Sequence, residues 1–113
     1  MLVKYKQAFH KIAMGLLSYM PTEKDLKKLL ETMEQYDKNE KWDLYLWKEE
    51  DIVGVIGIQH LGGGDILLQH VSVNPSFRQE GIGRKMIDAI REKAEGTLIP
   101  TKETEDFLEA CLQ

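Results

Sequence analysis

The chain has 113 residues, enough for one domain around one core, and it is read as a single unit over 1–113. Its 42% hydrophobic and 30% charged residues are a soluble globular mix, and a net charge of −4 without a basic block argues against a nucleic-acid partner. No apolar run reaches membrane-spanning length, the start Met-Leu-Val-Lys-Tyr-Lys lacks a signal-peptide core, and the lone Cys111 excludes an internal disulfide, so a cytoplasmic protein is expected.

Leu2 to Lys6 alternates and reads as an edge strand. Phe9, Ile12, Ala13, Leu16 and Leu17 fall at helical spacing within Gln7 to Tyr19. Pro21-Thr22 breaks the chain and opens a second helix, with Thr22 and Asp25 in a capping arrangement and Leu26, Leu29, Leu30 and Met33 as its apolar stripe. Asp37 to Lys41 is a polar loop. Leu44 to Lys48 and Ile52 to Gln59 are β-rich runs joined by the acidic turn Glu49-Glu50-Asp51. After the turn Gly62-Gly63-Gly64-Asp65, Ile66 to Val73 is nearly all apolar, as expected of a central strand buried on both faces. A helix follows over Gly81 to Ala94, then a short strand Thr97 to Ile99 ended by Pro100, then a last helix Glu103 to Cys111. The order is β-α-α-β-β-β-α-β-α.

The segment with the clearest chemistry is Arg78-Gln79-Glu80-Gly81-Ile82-Gly83-Arg84-Lys85. Strand, glycine turn and basic helix start form the layout of an anion cradle. Glycine lets the backbone approach a ligand, and the first helical amides have no partner of their own. Arg78, Arg84 and Lys85 add positive charge. Met86 stands where a dinucleotide fingerprint needs its third glycine, and no Gly-Lys pair exists for a Walker A loop. Without further context, the same turn also serves to pack a helix closely on a strand.

The pattern Arg-x-x-Gly-x-Gly resembles the acetyl-CoA signature of the GNAT N-acetyltransferase family. Val71-Ser72-Val73-Asn74-Pro75 before it, Phe77 just ahead of the arginine, and the helix after Gly83 extend the resemblance, which covers essentially the whole chain. It implies an α/β fold of the α+β type, with a mixed, largely antiparallel sheet flanked by helices. Family members usually add a final hairpin. Here the sequence stops at Gln113, so the resemblance implies a C-terminally shortened domain. Lys11 to Ser18 and Leu46 to Glu49 look closest to the small RibT-type acetyltransferases found with riboflavin-synthesis genes.

The resemblance implies acetyl-CoA as cosubstrate and a small-molecule or protein amine as acceptor. It assigns pyrophosphate binding to the amides of Gln79, Glu80, Gly81, Ile82, Gly83 and Arg84, beside Arg78. It assigns the pantetheine arm and thioester oxygen to main-chain groups of Val71, Ser72 and Val73, with a bulge or splay freeing an N–H. The proton-handling groups match less well. The family's last-helix tyrosine falls at Leu108, and the family's strand bases at Leu67 and Gln69, none of which can transfer a proton. His70 is the neighbouring candidate base, with an ordinary pKa of about 6.5. Alternation turns it to the other face unless the strand bulges, and a hydrogen-bonded structural histidine is the competing reading.

Trp42 and Trp47 read as packing residues, Glu49, Glu50 and Asp51 as a solvated hairpin turn, and Cys111 as a small packing residue. His10, His60 and His70 show no zinc spacing. Three readings stay open: an N-acetyltransferase, a non-catalytic acyl-CoA-binding or regulatory domain, and an interaction module. The short strand near the end presents an unpaired edge, so a homodimer through the C-terminal half, with Phe107, Leu108 and Leu112 as apolar contacts, is a further expectation.

Overall fold

A computed structural model describes residues 1–111; Leu112, expected above to supply an apolar contact, lies outside the described residues. Five strands form one sheet: β1 (Leu2–Lys4), β2 (Trp42–Lys48), β3 (Ile52–His60), β4 (Ile66–Val73) and β5 (Leu98–Pro100), in the spatial order β1-β2-β3-β4-β5. The first three pairings are antiparallel and β4 pairs β5 in parallel. Short turns join β2 to β3 and β3 to β4, whereas the parallel step needs a crossover, supplied by helix α3 (Ile82–Lys93). Helices α1 (His10–Leu17) and α2 (Leu26–Lys38) connect β1 to β2, and α4 (Glu105–Cys111) follows β5. Among the described residues, no helix is long and apolar enough to cross a membrane.

The sheet is covered on both faces, which explains the near-continuous apolar runs in β3 and β4. Ile56 and Ile58 of β3 and Leu68, Val71 and Val73 of β4 pack with Ile82, Met86, Ile87 and Ile90 of α3 and Leu108 of α4. On the other face, Leu44, Leu46 and Val55 pack with Ala13, Leu16 and Leu17 of α1 and Leu29, Met33 and Tyr36 of α2.

Several boundaries differ from the sequence reading. β1 ends at Lys4, and the first helix begins as a 3₁₀ turn over Gln7–Phe9 before α1. Pro21 opens another 3₁₀ turn, Pro21–Glu23, rather than α2 itself. The α2 cap is therefore Asp25, in extended geometry, whose carboxylate accepts from the Lys28 N–H at 3.4 Å. The buried stripe of α2 is also rotated: Leu29, Thr32, Met33 and Tyr36 face inward, while Leu26 and Leu30 are 64% and 48% exposed. Tyr36 explains the rotation, because its ring fills the space above Gly57 on the sheet. At the far end, Pro100 is paired with Leu68 instead of ending the strand, and α4 starts at Glu105 after a turn bonded by Thr101 and Thr104.

Candidate active site: a cleft where two strands part

β4 and β5 pair only over Ile66–Leu68 and Leu98–Pro100. Beyond Leu68, the outer edge of β4 faces a cleft of about 670 Å³. Its floor is Val71, Ser72 and Val73; its walls come from the α1–α2 connection, the turn before α3, and α4. The segment expected to bind the cofactor is thus gathered in one place: Val71 to Val73, Arg78, Gln79, Gly81, Ile82, Gly83 and Arg84 all line it. Glu80 does not, and its expected part was only its main-chain amide.

The turn before α3 has an unusual backbone. Gly81 has φ 78° and Gln79, a non-glycine residue, has φ 67°. Left-handed geometry at Gln79 carries strain, which concentrates at functional sites. Gly81 is also the residue immediately before α3, and the first helical bond there runs from the Lys85 N–H to Gly81 O at 3.1 Å. The Ile82 and Gly83 amides precede that bond and have no acceptor within the helix. Such an array of amides at a helix start is an anion-binding concavity. Gly83 is additionally held by packing: a β-carbon there would come 2.5 Å from the Phe107 ring.

Along the floor, Val71 and Val73 turn their main-chain groups away from β3. Among the described residues the Val71 N–H meets only a thioether, Met20 Sδ at 3.4 Å, and Val73 O accepts from Arg78 Nε at 3.3 Å. Sulfur is a weak acceptor, so the Val71 amide is an under-satisfied donor at the cleft floor. The Arg78 guanidinium also lies 6.0 Å from the centre of the Tyr19 ring, linking the two walls.

The strand does bulge. Gly57 of β3 pairs with His70 but Ile58 pairs with Leu68, so Gln69 is the extra residue. The bulge reverses the alternation and turns His70 toward α2, where it is 6% exposed. Its Nδ1 shares a 2.5 Å hydrogen bond with the Tyr36 hydroxyl, and its Nε2 lies 3.8 Å from Glu23 Oε2. Glu23 is 1% exposed and also accepts from Lys28 Nζ at 3.0 Å. Burial raises the Glu23 carboxyl, but the contacts with His70, Thr32 and Lys28 outweigh it and bring it down to about 2. Because the folded value lies below the ordinary 4.5, the stabilisation is present above pH 4.5 and is lost as pH falls toward 2. Chemical denaturation should therefore show stability falling by roughly 2 kcal/mol over that window. Glu23→Gln should flatten this fall; an unchanged slope in the variant would remove Glu23 as its source.

Residues 40–111 match the family model described as an acetyltransferase (GNAT) domain. The chain belongs to the GNAT acetyltransferase family. It is 52% identical over 113 residues to a Bacillus methanolicus protein described as an uncharacterized N-acetyltransferase in the lysA 3′ region, covering 98% of this chain and 94% of that one. Solved structures share the fold. A ribosomal-protein-alanine N-acetyltransferase from Brucella melitensis superposes with a TM-score of 0.77 at 16% identity, over 97% of this chain and 87% of the other. An aminoglycoside 6′-N-acetyltransferase from Acinetobacter haemolyticus gives 0.77 at 12%, over 99% and 86%. AAC(6′)-Iy, solved with a bisubstrate analogue of CoA, gives 0.76 at 13%, over 99% and 85%. As a GNAT N-acetyltransferase, the protein uses acetyl-CoA.

The other residues singled out by sequence lie as follows. Leu108 is buried in the core; the face of α4 that lines the cleft carries Phe107, Ala110 and Cys111. Burial and the neighbouring Asp88 push the Cys111 thiol above its ordinary pKa, the opposite of a reactive thiolate. Lys85, grouped with the phosphate-facing cations above, is not in the cleft lining and pairs with Glu49 at 3.7 Å. Glu49, Glu50 and Asp51 are exposed in the turn between β2 and β3. Tyr19, Met20 and Glu103 line the cleft and were not singled out by sequence. The Pro21 break was the only local signal for Tyr19 and Met20, and Glu103 had none, because the walls are assembled from segments far apart in the chain.

Proposed function

We propose that the cleft holds acetyl-CoA with its pyrophosphate against the turn at Gln79 to Arg84 and its pantetheine arm along Val71 to Val73. The observation that carries this reading is the opening of the β4 edge directly beside two left-handed residues at a helix start. An extended arm with amide groups of its own can pair with the exposed strand edge, while the amides and the two arginines of the cleft meet the phosphates. Val71 donates its N–H to the thioester oxygen, which replaces Met20 Sδ as its acceptor and is the better acceptor as negative charge develops. His70 supports this site indirectly: its bonds to Tyr36 and its approach to Glu23 anchor the bulge that turns the Val71 amide toward the cleft. Direct proton transfer by His70 is the less supported role, since a base must reach the proton it takes and His70 is absent from the cleft lining.

Calorimetry tests the assignment. Arg84→Gln should weaken acetyl-CoA by about tenfold and pantetheine by less than about twofold, because only the former carries the phosphate charge. Equal losses for both ligands would count against it. The reading includes a cytoplasmic setting, in keeping with the single thiol, and an amine acceptor that is either a small molecule or a protein. The RibT-type lineage rests on Lys11 to Ser18 and Leu46 to Glu49 alone, and the Bacillus methanolicus relative is instead named for its position beside lysA. A homodimer remains part of the proposal: β5 is the last strand of the sheet, although Pro100 shortens its adhesive edge. A dimeric mass by light scattering at micromolar concentration would support it, and a monomeric mass would remove it.

A further inference from the structure

The two ends of the cleft differ in chemistry. Arg78, Arg84 and the left-handed turn mark one end. Following β4 back from Val73 to Leu68 covers about 16 Å of strand. At that point β5 joins the sheet, and the Thr104 hydroxyl donates to Leu68 O at 2.8 Å. Thr104 is fully buried and also accepts from the Thr101 N–H at 2.9 Å, so the chain around it is firmly held. Glu103, the preceding residue, lines the cleft. Farther along this wall, Phe107 packs at Gly83, and Cys111 lies within electrostatic reach of Arg84. The α4 wall therefore runs from Glu103 at the strand junction to Cys111 at the cationic end.

Glu103 is the only carboxylate among the described residues that line the cleft. Glu23 is buried outside the lining and engaged by Lys28 and His70. A carboxylate beside the phosphates would repel them; one at the opposite end leaves cofactor binding alone and offers a negative site where the acyl group must end. Alkyl amines are cations at neutral pH. We propose that Glu103 recognises the acceptor, pairing with the ammonium of a primary amine as it enters beside Val71 and Met20. The preferred acceptor is then a cationic aliphatic amine with no carboxylate or phosphate next to its nitrogen, because such a group would meet Glu103 directly.

This inference rests on the acetyl-CoA reading, and the test separates the two. The probes are CoA thioethers carrying a two-, three- or four-carbon aminoalkyl group on sulfur, each compared with its hydroxyalkyl counterpart by calorimetry. In the wild-type protein at least one aminoalkyl compound should bind about tenfold tighter than its neutral partner. Glu103→Gln should bring that ratio within about twofold, while Glu109→Gln, an exposed α4 change outside the cleft lining, should preserve it. No preference at any chain length, or a preference that survives in Glu103→Gln, would overturn the role of Glu103. A wild-type protein that binds none of these compounds would overturn the acetyl-CoA reading itself, and this inference with it.

Discussion

Gly57→Val is expected to cost about 3–5 kcal/mol of stability and to lower the melting temperature by roughly 15–25 °C. A β-carbon at Gly57 would overlap the Tyr36 hydroxyl and come 2.5 Å from Tyr36 Cζ. Tyr36 has little room to retreat, since its ring meets Trp42 and His70 edge-on at centroid distances of 5.1 and 5.5 Å. Moving it would also strand a buried polar pair, because the hydroxyl shares a hydrogen bond with His70 Nδ1 and accepts from Gln69 Nε2 at 3.5 Å. Burial pushes the Tyr36 phenol well above its ordinary pKa, so the ring stays neutral and no charge is involved. Total stabilities are only about 5–15 kcal/mol, so this one methine-bearing side chain removes a large share. Denaturant titration checks the expectation: a Gly57→Val protein within about 1 kcal/mol of wild type would show that Tyr36 is not pinned. Combining Gly57→Ala with Tyr36→Phe should recover part of the loss, since the hydroxyl is the first atom in the way.

Gly81→Val should reduce acetyl-CoA affinity by roughly 100-fold while lowering stability by only about 1–2 kcal/mol. The separation of the two effects is the point of choosing this residue. Among the described residues nothing lies within 4 Å of a β-carbon at Gly81, so no packing between them is disturbed. The damage comes from its φ of 78°, a left-handed angle that a β-branched residue resists. Relaxing that angle swings the Ile82 and Gly83 amides away from the cleft. Gly83→Val would also weaken binding, but its collision with Phe107 mixes packing with ligand contact. Calorimetry on a folded Gly81→Val protein decides: wild-type affinity for acetyl-CoA would mean that the phosphates sit elsewhere.

Much of this protein could be read from the residues alone, and the reason is local. Ile66 to Val73 is a largely apolar stretch between a glycine turn and a proline, and the strand has those bounds. Arg78, Gly81, Gly83 and the α3 stripe Met86, Ile87 and Ile90 report a turn and helix whose geometry depends on neighbours a few residues away. The order of strands and helices followed from such signals. What remained hidden depends on contacts between distant segments. A one-residue bulge at Gln69 leaves no mark in composition, yet it decides which face His70 occupies. The inward face of α2 is chosen by the gap above Gly57, so Leu26 and Leu30 look like core residues in sequence and are exposed in the fold. Lys85 belongs to the basic motif but its partner is Glu49 on a different hairpin. Tyr19, Met20 and Glu103 meet in one cleft only because β4 and β5 part beyond Leu68, and that parting is a property of the assembled sheet.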